Sequence, residues 1–292
     1  MIYSLKSENL TVDINSIGAE VISVLDKNGH EYIWSGESWR DHAPLLFPVC
    51  GRLLENKYTY GGVEYKMNGH GFAKASEFEV VERSDSKITF RLCDNKGTRE
   101  IYPFGFMLVA EYTLSGNRLD ARFTVKNTEK VVMPYMFGWH PGFTLAGEGE
   151  IGSFCIDFMG ECSPMMHPLR MVNGDPTPFL SGNVIDFNLD SGIFALDENL
   201  IYSNDTLILT GTLDKATLYS PDTDKRVSLS YSNNLPYFCI WKSSKPNSRF
   251  ICLEPWSDVP ADGITPECFD TRKMSRLAPG DEEQYTYSVI FS

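Results

Sequence analysis

Basic residues are scarce in this 292-residue chain: 26 Lys and Arg stand against 39 Asp and Glu, a net charge of −13. Such a balance opposes non-specific contact with nucleic acid or with an anionic membrane surface. Long apolar runs are missing too. Residues 43–51 are typical of the longest, well short of the roughly 18 residues of a membrane helix. Residues 1–10 mix Ser, Lys and Glu with single apolar side chains and lack the apolar core of a secretory signal. The seven cysteines are odd in number, and no pair has CxxC spacing. Several lie inside apolar runs, so the expected state is buried free thiols in a reducing cytoplasm, without disulfides. Spaced Cys/His pairs are absent, which argues against a metal site. No Gly-rich phosphate loop, GxSxG elbow or HExxH helix appears, so those chemistries lose their usual markers.

What the chain has is alternation. Leu10–Asn15 reads apolar–polar with period two, and residues 19–25 follow less strictly. Asn28-Gly29 and Gly61-Gly62 are two-residue hairpin signals, the second between Lys57–Tyr60 and Val63–Lys66. Residues 78–82 and 88–92 form another expected pair, as do 107–114 and 119–126. Further strands are expected at 207–209, 216–219, 227–231, 237–241, 250–253 and 284–291. Helix is expected only at 38–42 and 97–102. Frequent turns between short period-two segments predict an all-β antiparallel sandwich or barrel with helix below about 15%. No linker divides the chain, so residues 1–292 are expected to form one domain. The stretch 147–199 has the weakest period and is expected to be loop, part of it lying over the sandwich.

Four polar residues sit in unusual settings. Arg52 follows a mostly apolar run, Pro44 to Gly51; it is either a surface residue at a strand exit or a fork of donors aimed at ligand oxygens. His70 lies between two glycines, which suits a solvent-facing turn or close approach of a ligand. His140 precedes Pro141 at the end of the apolar stretch 132–139. It shares a face with Gly138, which is expected to leave space beside the imidazole; a core histidine bonded to a carbonyl is the alternative. Glu254 precedes Pro255, which is expected to end an apolar strand there. Partial dehydration would raise its pKa toward that of a useful base, unless it reaches water. Cys252 can face the same side as Glu254, and a buried thiol is its expected role. One carboxylate, two imidazoles and a guanidinium make a set for moving protons on a neutral polar ligand.

The motifs Pro48-Val-Cys-Gly-Arg-Leu53, His70-Gly-Phe72, Gly138-Trp-His-Pro-Gly-Phe143 and Leu253-Glu-Pro-Trp256 occur in the order seen in aldose 1-epimerases, the galactose mutarotase-like family. Gly18-Ala-Glu-Val-Ile-Ser-Val-Leu25 resembles that family's first strands, and the His-Gly-Phe-Ala and Trp-His-Pro-Gly-Phe variants are most similar to its LacX-type branch. The resemblance implies a large antiparallel supersandwich and interconversion of α and β anomers of a free hexose, without a cofactor. It makes Glu254 the base at the C1 hydroxyl and His140 the acid at the ring oxygen, with Arg52 and His70 holding sugar oxygens. It places the family's sugar-binding Asp nearest to Asp205. Trp139, Phe143 and Trp256 are expected to face the pyranose. A charged pair is expected, with His140 kept protonated by the carboxylate, Glu254 setting the acid limb of the pH profile and His140 the alkaline limb. A hexose-6-phosphate epimerase and a non-catalytic sugar-binding protein are the alternatives.

Overall fold

The computed structural model describes residues 1–145, 147 and 150–292. Two antiparallel sheets face each other, as the alternation predicts. One has nine strands, with Arg118–Asn127 central between Phe106–Ser115 and Glu282–Phe291. The other has eight and includes Thr206–Thr210, Tyr237–Trp241 and Phe250–Trp256, the last bordered by Gly138–Trp139 and Gly142–Thr144. Strand burial follows the pleat: Leu10, Val12 and Ile14 are buried on one face, while Thr11 and Asp13 remain partly exposed. The space between the sheets is filled largely by aromatic rings. Phe123 and Tyr287 from the nine-stranded sheet pack against Trp139, and Tyr285 stacks on Phe137.

Most expected strands form within a residue or two, and Lys57–Tyr60, Val63–Lys66 and Tyr237–Trp241 form as expected. The expected helix at 97–102 is Lys96–Ile101, capped by Asn95, a cap worth about 1 kcal/mol. The other expected helix, 38–42, is absent; that segment is an irregular connection. The stretch 147–199 carries more order than expected. It holds short strands and the hairpin Leu169–Val172/Asp175–Leu180; its residues Glu148 and Gly149 lie outside the described residues. No helix among the described residues is long and apolar enough to cross a membrane. All seven cysteines are unpaired.

The strand Phe250–Trp256 runs through Pro255 instead of stopping at Glu254. Pro255 pairs with Phe238 on one side. On its other side the neighbouring chain is broken between Gly138–Trp139 and Gly142–Thr144, and Leu253 N–H donates to Pro141 there. The register that pairs Gly138 with Trp256 sets Pro255 opposite Trp139, at the end of that short ladder just before the break, and the strand continues through the proline because its other edge stays paired with Phe238.

Candidate active site

Because Trp139 points into the sandwich, the next residue, His140, projects from the opposite face of its sheet. Glu254 lies within the directly neighbouring strand, opposite His140 by the register that pairs Gly138 with Trp256 and Gly142 with Cys252, and is completely buried. His140 Nε2 is 3.1 Å from Glu254 Oε2. Both residues line a cavity of about 500 Å³, together with Arg52, His70 and Asp205. Five residues spread over some two hundred positions of sequence thus meet in one cleft, of a size typical for small-molecule sites.

His70 is placed by the turn expected from its glycines. It has φ of +63°, followed by Gly71 at +74°. A Cβ on Gly71 would stand 2.1 Å from the Phe47 carbonyl oxygen, so only glycine fits. Gly51 N–H donates to His70 Nδ1 at 3.2 Å, which leaves the proton of the neutral ring on Nε2. Burial, with Lys74 adding to it against Asp41, pushes this imidazole down to about 4. Arg52 is exposed, and its guanidinium makes no hydrogen bond or ion pair among the described residues. Lys74, by contrast, is paired with Asp41. Asp205 ends the helix Glu198–Asn204 in a left-handed conformation at the cleft rim. Its carboxyl is raised by partial burial, with Trp241, Thr206 and Arg52 opposing.

The protonation of the central pair differs from the sequence expectation. Burial pushes the Glu254 carboxyl well above its ordinary 4.5, and Asp205 adds repulsion. Burial pushes the His140 imidazole well below 6.5, and the His70 ring, 5.5 Å away, adds to the effect. Desolvation disfavours both charges, and it outweighs the attraction that would have kept His140 protonated. Both shifts favour a neutral pair, with the shared proton on the carboxyl. Both Glu254 oxygens and His140 Nδ1 are buried without a hydrogen-bond partner.

The space expected beside Gly138 is filled: a Cβ there would lie 2.5 Å from the Trp256 ring. Trp256 does line the cleft, but Trp139 and Phe143 do not; both are core residues, and the Trp139 indole donates to the Ala43 carbonyl at 2.9 Å. The pleat decides this, since a strand that points His140 at the cleft must turn its odd-numbered neighbours inward. The rings that take their place are Trp39 and Trp241. Trp39 stacks on His140 with centroids 5.0 Å apart and on Phe250 at 5.4 Å. A tryptophan isolated in the polar segment Gly36-Glu-Ser-Trp39-Arg-Asp41 was the available signal for it.

The family model for aldose 1-epimerase matches residues 1–287. The chain belongs to the aldose 1-epimerase family. Protein LacX of Lactococcus lactis subsp. lactis is 30% identical over 308 aligned positions, which cover 99% of each chain. Among solved structures, a galactose mutarotase related enzyme from Lactobacillus acidophilus superposes with a TM-score of 0.92 at 30% identity, covering 100% of this chain and 97% of that one. A galactose mutarotase-like protein from Lactobacillus casei gives the same TM-score at 29% identity, with both chains fully covered. The fold is thus the galactose mutarotase-like sandwich that the motifs implied.

Proposed function

We propose that this aldose 1-epimerase family member is a mutarotase, interconverting the α and β anomers of a free hexose or hexose derivative by ring opening and closure. The observation that carries the reading is the buried His140–Glu254 pair, 3.1 Å apart at the floor of the cleft. Mutarotation removes a proton from the C1 hydroxyl and adds one to the ring oxygen as the C1–O5 bond breaks. Rotation about C1–C2 and closure on the other face reverse both transfers. A pair holding one proton supplies one donor and one acceptor and ends each half-reaction with the same total. With Glu254 as base and His140 as acid, the pyranose meets the charge-separated pair and the open chain leaves the neutral one. Burial favours that neutral pair, so the proton passes from the Glu254 carboxyl to His140 across their 3.1 Å contact before the ring opens, and the opening step restores the favoured form. Each positioned group contributes about 10²–10⁴ in rate.

His70 Nε2–H and the Arg52 guanidinium donate to sugar oxygens, and Asp205 accepts from a hydroxyl. Trp39, Trp241 and Trp256 offer apolar surface to the C–H faces of the ring. Lys74 is held by Asp41, so among the described residues Arg52 is the one Lys or Arg of the lining left for a phosphate; this favours an unphosphorylated sugar. The unpaired cysteines suit a cytoplasmic setting. The test is polarimetry of pure anomers, with and without a 6-phosphate. The parent accelerates at least one of them, and Glu254→Gln lowers that rate at least about a hundredfold. No acceleration of any anomer, with binding retained, would establish the sugar-binding alternative instead.

A further inference from the structure

His140, Cys252 and Glu254 form a cluster of potential metal ligands, all buried, whose ligand atoms lie within 4.8 Å of one another. Ladder pairing assembles it. Cys252 lies two residues before Glu254 on the same face of the strand, and it pairs with Gly142, two residues after His140. The contact to give up at the carboxyl is the one to His140 Nε2 at 3.1 Å, and that nitrogen is itself one of the three ligands.

We propose that these three side chains form an inhibitory site for a thiophilic divalent cation such as zinc, entered from the sugar cleft. Zinc holds thiolate at about 2.3 Å and imidazole or carboxylate at about 2.0–2.2 Å in a tetrahedron, so neighbouring donors stand roughly 3.3–3.6 Å apart. The His140–Glu254 spacing of 3.1 Å is close to that, and a side-chain shift of about an ångström brings in the thiol. A dication, a thiolate and a carboxylate sum to zero charge with a neutral imidazole, which suits a buried position. Two protons, the thiol's and the one held by the His140–Glu254 pair, leave to solvent as the metal enters. The fourth position faces the cleft, open to water or to a sugar oxygen.

The cluster is not built as a resident zinc site. Resident sites orient the ligating imidazole through a partner on its second nitrogen, and His140 Nδ1 has no such partner. Metal captured here occupies the lone pairs that exchange protons with the sugar, so it blocks turnover. That consequence rests on the acid–base reading above; the capture of metal does not. Spacing along the sequence cannot reveal this site, because strand pairing alone brings His140 to the other two.

The test uses the full chain, stripped with a chelator and titrated with cobalt(II) and then zinc. A thiolate-to-cobalt charge-transfer band should appear in the near ultraviolet and vanish as zinc displaces the cobalt. Cys252→Ala and His140→Asn should lack the band, while Cys93→Ser, which removes an exposed thiol, keeps it. Mutarotation should fall to about a tenth when zinc exceeds its Kd tenfold and return with chelator. Cys252→Ala should keep the basal rate and need zinc raised by more than the roughly 10-fold that losing an outer partner costs. Absence of the band in the folded parent, or its survival in Cys252→Ala, overturns the site. A band accompanied by unchanged or increased mutarotation overturns the inhibitory role. A metal-free parent with no mutarotase activity defeats the functional reading, and the cobalt spectra then decide the metal site alone.

Discussion

Replacing Glu254 by Gln should change how stability depends on pH, in a direction fixed by the burial of the carboxyl. The native carboxyl has its pKa raised well above 4.5, whereas in the unfolded chain it titrates near its ordinary value. Between those two values the native state holds a proton that the unfolded state lacks. Stability from this group is complete below about pH 4.5 and is lost as pH rises toward the native pKa, at up to about 1.4 kcal/mol per pH unit. Gln at the same position has no proton to lose. The parent should therefore lose up to about 4 kcal/mol relative to Glu254→Gln between pH 5 and pH 8. His140 works in the opposite sense. Its native pKa is depressed below 6.5, so its contribution is complete above about 6.5 and is lost as pH falls below it. From about pH 4.5 to 6.5 the two slopes cancel, because native and unfolded pairs each hold one proton. Urea unfolding of both proteins at pH 5, 6, 7 and 8, taken as a difference, removes every other titrating group. Parallel curves, or a parent that gains on the variant as pH rises, would refute the placement of Glu254 as a buried, proton-holding carboxyl.

The pH–rate profile of mutarotation should be a broad bell whose limbs are exchanged relative to ordinary pKa order: His140 gaining a second proton sets the acid limb, and Glu254 losing the last one sets the alkaline limb. His140→Asn, measured by polarimetry, should lose at least about a hundredfold in kcat and no longer show the acid limb. Arg52→Lys should raise KM more than it lowers kcat, since a single ammonium cannot make the two-pronged contact of the guanidinium; a change confined to kcat would place Arg52 on the reacting atoms instead. Trp39→Ala should reduce kcat/KM by about 2- to 12-fold, the equivalent of the roughly 0.5–1.5 kcal/mol of one ring stack, with the lost contact being the one to His140.

The sequence by itself determined the class of fold, because a half-buried strand must alternate and a tight hairpin must carry residues such as Asn-Gly or Gly-Gly. Leu10–Asn15 and the pair Lys57–Tyr60 and Val63–Lys66 were legible for those local reasons. Arg52, His70, His140 and Glu254 were legible as polar residues in settings where an isolated side chain has little reason to be, and the motif order joined them. What local pattern could not carry was anything decided across strands. Pro255 looks like a strand end until its pairing with Phe238 is seen. Trp139 looks like a sugar-facing ring until the pleat turns it inward, and Trp39 takes that position from a loop expected to be helical. The 3.1 Å approach of His140 to Glu254, and the cluster they make with Cys252, exist only once the ladders are paired. The protonation of the pair was hidden for the same reason: charge state follows desolvation, and how much water a carboxyl and an imidazole lose is set by everything packed around them, not by their neighbours in the chain.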